Sequence, residues 1–155
     1  MIEPLRLSFT VRCPAAQAFE VWTRRIGQWW PLDHTVSGAR GLKVVLEGQP
    51  GGRIFERTPS GIEHDWGVIT RWEPPRRLGY TWHLRQDRAD ATQVEITFAD
   101  QGDGTTRVEI EHHGWERLGA HGPGRRDATA AGWHGLLPHF LTLAEAASGS
   151  EAQGA

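Results

Sequence analysis

The chain has little of what most catalytic and targeting signatures are built from. Its 155 residues include one cysteine, Cys13, so no intramolecular disulfide forms, and the composition suits a reducing compartment. Asparagine is absent, and Lys43 is the one lysine beside sixteen arginines, a bias attributable to GC-rich coding before any function. No stretch approaches about 18 consecutive apolar residues, which argues against a membrane-spanning helix. The N-terminal MIEPLRLSFTV carries an acid at Glu3 and no long apolar run before Arg12, so a signal peptide is not expected and the cytoplasm is the expected location. Cationic runs stop at two residues (Arg24-Arg25, Arg76-Arg77, Arg125-Arg126). With a formal charge of −2 and a pI near 6.4, no face suited to nucleic acid is expected. The sequence has no G-x-S-x-G, C-x-x-C or H-x-x-x-H. Its Gly-rich spots at 48–52 and 119–124 lack the G-K-[ST] and the strand–loop–helix setting of a phosphate loop. Neither a metal site nor a cofactor is expected.

Tryptophan is what the chain has in excess. Eight indoles in one small domain are costly to leave in water, and each N–H needs a partner once buried. An apolar content of 38% and a length that buries roughly two thirds of the unfolded surface fit one soluble domain. That domain is expected over residues 1–147, followed by a short polar tail, 148–155, expected to be flexible.

Periodicity orders the elements. Leu5, Leu7, Phe9 and Val11 alternate with polar residues, as a half-buried strand does. Pro14 then opens a helical pattern through Ala15, Ala18, Phe19, Trp22 and Ile26, and Gly27 and Pro31 bracket a second helical turn holding Trp29 and Trp30. Strand patterns follow near 42–47, 52–58, 62–73, 78–86, 92–100 and 105–113, separated by Gly, Pro and Asp breaks that predict an antiparallel meander. From about 126 to 147 helical spacing returns, with Trp133, Leu136, Leu137, Phe140, Leu141 and Ala144 on one face. Pro138 predicts a kink or a break near Gly135. The fold class is α+β: a curved seven-stranded antiparallel sheet, two short helices after the first strand, and a long C-terminal helix to cover the sheet.

FTVRCPAAQAFEVWT, GGRIFER, WGVITRWEPPRRLGYTW, TRVEIEHHGWERL and GWHGLLPHFLTL, in that order, resemble the helix-grip (SRPBCC) superfamily of START domains, polyketide cyclases and birch-pollen-allergen-like proteins. More narrowly they resemble the branch named for the C-terminal domain of the activator of the heat-shock-protein-90 ATPase. The resemblance implies the helix-grip fold and an apolar-ligand pocket, with catalysis in some members only. It also places Trp29-Trp30 at the border of the cavity mouth. The eukaryotic activator has a further N-terminal domain that is not seen in this chain, which counts against a chaperone partner.

Strand parity then assigns faces. Ile62, His64, Trp66, Val68, Thr70 and Trp72 are expected inward, with Ile69 as the exception; so are Leu78, Tyr80, Trp82 and Leu84, leaving His83 and Arg85 outward. Val94, Ile96, Phe98, Val108, Ile110 and His112 continue the inner face. Glu56 stays open: it points inward if Ile54 does, and into solvent if Phe55 faces in instead. Trp30, Trp66, Trp82, Trp133 and Phe140 are the expected walls of a site for a small apolar, aromatic or polyketide-like ligand, with His64, His112 and Glu56 as polar anchors. Two other functions remain: a cyclase- or hydrolase-like enzyme using His64, His112 and Glu56 as acid and base, and a protein-interaction module of co-chaperone type. Binding without catalysis is favoured, and a homodimer stays open.

Overall fold

The computed structural model describes residues 2–84 and 87–154, with side chains described through Ala146. Strand β1 (Leu5–Val11) leads into helices α1 (Ala15–Trp22) and α2 (Ile26–Trp29). Strands β2 (Lys43–Leu46), β3 (Arg53–Arg57), β4 (Glu63–Glu73), β5 (Arg77–Trp82), β6 (Thr92–Asp100) and β7 (Thr106–His113) follow, then a 3-10 segment at Trp115–His121 and helix α3 (Gly122–Gly154). The sheet is curved and antiparallel, in the order β1-β7-β6-β5-β4-β3-β2. The meander from β2 to β7 is local, and only β1 crosses the chain, pairing Leu5 with His112 and Val11 with Thr106. This is the α+β helix-grip fold.

Helix α3 begins earlier than its apolar spacing indicates and runs unbroken through Pro138, without a break at Gly135. Proline inside a helix costs about 3 kcal/mol. Leu136, Leu137, Phe140 and Ala144 flank it, all 8% exposed or less. Each large apolar side chain among them contributes about 1.5–3 kcal/mol on burial, so packing outweighs the lost hydrogen bond. The helical backbone continues to Gly154; the tail expected at 148–155 falls on side chains outside the described residues.

Strand β4 departs from strict alternation. Its register slips against β3 beside Ile54/Phe55 and against β5 between Ile69 and Arg71. The residues it turns to the core are therefore Trp66, Ile69 and, partly, Trp72, three apart, while Thr70 and Ile62 are exposed. Ile69 is thus a core residue alongside Trp66 and Trp72, because the register shifts bring both parities of β4 inward in turn. Gly67 is needed between the slips: a Cβ there would lie 1.8 Å from the Thr81 carbonyl oxygen.

The ambiguity at RIFER resolves both ways. Ile54, Phe55 and Glu56 are all 2% exposed or less. Phe55 lies on the face opposite Glu56 and is roofed by the guanidiniums of Arg53 (4.1 Å from the ring centre) and Arg57 (5.4 Å).

Candidate ligand-binding site

A cavity of about 390 Å³ separates the first half of α3 from the β5–β7 part of the sheet. That lies within the ~300–1,000 Å³ range of small-molecule sites. Four tryptophans wall it: Trp30 just after α2, Trp82 at the end of β5, Trp115 in the 3-10 segment and Trp133 on α3. Leu84, Leu118 and Leu136 add apolar surface; Asp33 and Arg125, both exposed, stand at its rim.

Three of the four indole N–H groups are bonded within the protein. Trp30 Nε1 donates to the His34 carbonyl (2.9 Å), Trp115 Nε1 to the His112 carbonyl (2.8 Å) and Trp133 Nε1 to His112 Nδ1 (3.2 Å). The last bond sets the tautomer of His112. Nδ1 accepts, so the proton sits on Nε2, which donates to Thr92 Oγ1 at 2.6 Å. The Thr92 hydroxyl then donates to the Trp82 carbonyl at 3.3 Å. His112 is 1% exposed, with its ring 4.4 Å from that of Trp115. Burial, with a smaller contribution from His113, pushes its pKa down to about 3. It is a neutral hub with both ring nitrogens in use.

His83 is different. Parity predicts it in solvent, yet it is 6% exposed and lines the cavity. Strand β5 ends at Trp82, so alternation no longer applies, and the His83 N–H turns back to the Trp66 carbonyl at 2.8 Å. Its Nδ1 is buried and, among the described residues, has no hydrogen-bond partner. Burial, and secondarily the positive charge of Arg88, lower its pKa against an opposing pull from Asp65. Arg85, expected outward with it, lies outside the described residues.

The other expected anchors are elsewhere. Glu56 is fully buried and ties β3 to the loop after α2. It accepts hydrogen bonds from the Val36 N–H (2.6 Å), the Ser37 N–H (2.9 Å), the Ser37 hydroxyl (2.7 Å) and Trp66 Nε1 (2.9 Å). Burial pushes its pKa up, but these donors outweigh it and hold it below the ordinary value. His64 is half-buried and lines a separate groove with Glu63, Asp65, Asp87, Asp90 and Arg117. Trp66 sits behind Trp30 and Trp82, at ring-centre distances of 5.0 and 5.8 Å. Phe140 is fully buried against Trp22 (4.9 Å) and Trp29 (5.5 Å).

The structure therefore brings Trp30, Trp82, His112 and Trp133 together at the cavity, and does not bring Glu56, His64, Trp66 or Phe140 there. The acid–base group of His64, His112 and Glu56 is not assembled, because the hydrogen bonds of Glu56 and of the His112 ring go to other partners. Sequence reasoning missed His83, Thr92 and Trp115. Thr92 was accessible to it, since it pairs with Trp82 and shares the parity of Val94 and Ile96. Trp115 follows Gly114, whose φ of 94° ends β7 in a left-handed turn, and no periodic pattern carries across such a turn. Among the described residues no group of three His, Cys, Asp or Glu is placed to hold a metal ion.

A profile of the family described as "Activator of Hsp90 ATPase homolog 1-like protein" matches residues 12–145. Among solved structures, the chain is similar to Txn09, described as an anthrahydroquino-gamma-pyrone synthase complexed with SUM. The identity is 35%, covering 79% of this chain and 84% of that one, with a TM-score of 0.58. It is also similar to CalC, a self-sacrificing resistance protein from Micromonospora echinospora, at 28% identity over 94% of this chain and 96% of that one, TM-score 0.74. CalU16 from the same organism shares the fold at 19% identity over 90% of this chain and 73% of that one, TM-score 0.60. No curated protein matches this chain.

Proposed function

The chain belongs to the Activator of Hsp90 ATPase homolog 1-like family of the helix-grip superfamily, and we propose that it binds a small, flat, apolar ligand between α3 and the sheet. The observation that carries this reading is the cavity of about 390 Å³ walled by four indoles. Aromatic walls favour aromatic or polyketide-like guests, where ring contacts add about 0.5–1.5 kcal/mol beyond area burial. The likeness to a protein described as an anthrahydroquino-gamma-pyrone synthase supports the same ligand class. The reading is one of binding: neither Glu56, with both oxygens bonded, nor His112, with both ring nitrogens bonded, is free to move a proton to or from a ligand.

Gly132 supplies the test. It lines the cavity from α3, and a Cβ built there meets nothing within 4 Å. A Gly132→Leu side chain would enter ligand space from a Cβ that has room. Equilibrium dialysis against 2-naphthol should show affinity at least about tenfold weaker than wild type, since filling the site removes more than ~1.4 kcal/mol of contact. Unchanged affinity would place binding elsewhere and reject the proposal.

A further inference from the structure

We infer that His83 selects the ligand by hydrogen bonding to a phenolic or enolic hydroxyl on an otherwise apolar molecule, an inference that rests on the cavity being a binding site.

Of the buried polar side chains that line the cavity, all but His83 already have hydrogen-bond partners; the Trp82 indole, the His34 ring and the Thr129 hydroxyl also line it but are only partly buried. Both ring nitrogens of His112 are bonded, and the Thr92 hydroxyl both accepts from His112 and donates to the Trp82 carbonyl. The N–H groups of Trp30, Trp115 and Trp133 are given to protein acceptors. His83 is 6% exposed, lines the same space, and its buried Nδ1 has no hydrogen-bond partner among the described residues. Such a nitrogen destabilises the empty protein, so a ligand that completes its bond gains what a hydrocarbon cannot. Among the described residues no hydrogen bond holds Nδ1 in place, so rotation of the ring about Cβ–Cγ, which exchanges its two edges, sacrifices none at that atom.

The chemistry of the partner follows from the state of the ring. Burial and the nearby Arg88 keep His83 neutral, with one N–H and one lone pair. A hydroxyl can accept from the first or donate to the second, and so serves either tautomer. An ether or ketone serves only one, and a bare ring system neither.

The experiment compares 2-naphthol with naphthalene by equilibrium dialysis against wild type, His83→Phe and His83→Gln. Wild type should bind 2-naphthol about tenfold more tightly, the scale of one hydrogen bond to a buried unsatisfied group. His83→Phe should abolish that preference, bringing the affinities for the two compounds to within about twofold of each other, and His83→Gln, which keeps a donor and an acceptor, should restore part of it. Preference surviving in His83→Phe, or absent from wild type, overturns the role of His83 and leaves the cavity reading intact. Failure of both compounds to bind wild type overturns the cavity reading and this inference with it. The wild-type comparison needs no variant, so a misfolded His83→Phe does not shield the inference.

Discussion

Acidification from pH 7.5 to 5.0 is predicted to cost the native state about 2 kcal/mol through His112 alone. In the unfolded chain this imidazole takes up a proton at its ordinary pKa of 6.5; in the folded protein it does so only at about 3. Stability is therefore complete above 6.5 and is lost as pH falls toward about 3. At pH 5.0 the unfolded state has gained roughly 1.5 units at 1.36 kcal/mol each, or about 2 kcal/mol. That is a large share of a typical ~5–15 kcal/mol total. The assay is urea unfolding at the two pH values for wild type and His112→Gln. Glutamine offers an oxygen to the Trp133 N–H and an N–H to Thr92, but does not titrate. At pH 7.5 the variant should be about 1–3 kcal/mol less stable, because its geometry is poorer at both bonds. On acidification it should lose about 2 kcal/mol less than wild type. If the two proteins lose the same amount within ~0.5 kcal/mol, His112 is protonated in the folded state and the Trp133–His112–Thr92 chain is wrong.

Further outcomes follow from the same geometry. Trp133→Phe removes the donor to His112 Nδ1, freeing its lone pair; the His112 pKa should rise from about 3, read by its imidazole ¹H–¹⁵N signals across pH 3–7. Glu56→Gln turns an amide toward donors that now meet a carboxylate, and should cost roughly 2–3 kcal/mol in urea unfolding at pH 7. Because the Glu56 pKa is lowered on folding, its stabilisation is present above about 4.5 and lost below it. The variant's unfolding curve from pH 6 to 3 should therefore be flatter than that of wild type. Gly132→Leu should raise stability by about 0.5–1 kcal/mol through helix propensity while it blocks binding, so weaker binding cannot be ascribed to unfolding.

Much of the fold was legible because its signals are local. Alternation in Leu5–Val11 and in β6 and β7, turn residues at each break, and the apolar stripe from Trp133 to Ala144 each reduce to a period of two or of 3.6. His112 was placed correctly inside by the same parity. The site was less legible because its geometry depends on departures from periodicity. Two register slips in β4 bring Ile69 in and leave Thr70 out, and the end of β5 at Trp82 turns His83 into the cavity. Glu56 shows a second limit. Its burial hinges on donors from Val36 and Ser37, about twenty residues away in a loop without regular pattern. Pro138 shows a third, since local propensity predicts a kink or a break, and with Leu136, Leu137 and Phe140 packed around it the helix runs on unbroken.

The eight tryptophans provide the most direct test of the central claim. Trp30, Trp82, Trp115 and Trp133 line the cavity, while Trp72 lies away from it against Phe19. Titration of ¹⁵N-labelled protein with 2-naphthol, followed by the indole N–H resonances, reads each position separately. A ligand between α3 and the sheet should shift the four cavity indoles together, saturably, and leave Trp72 still. Shifts confined to Trp72 or spread evenly over all eight indoles, or no saturable shift at all, would contradict it.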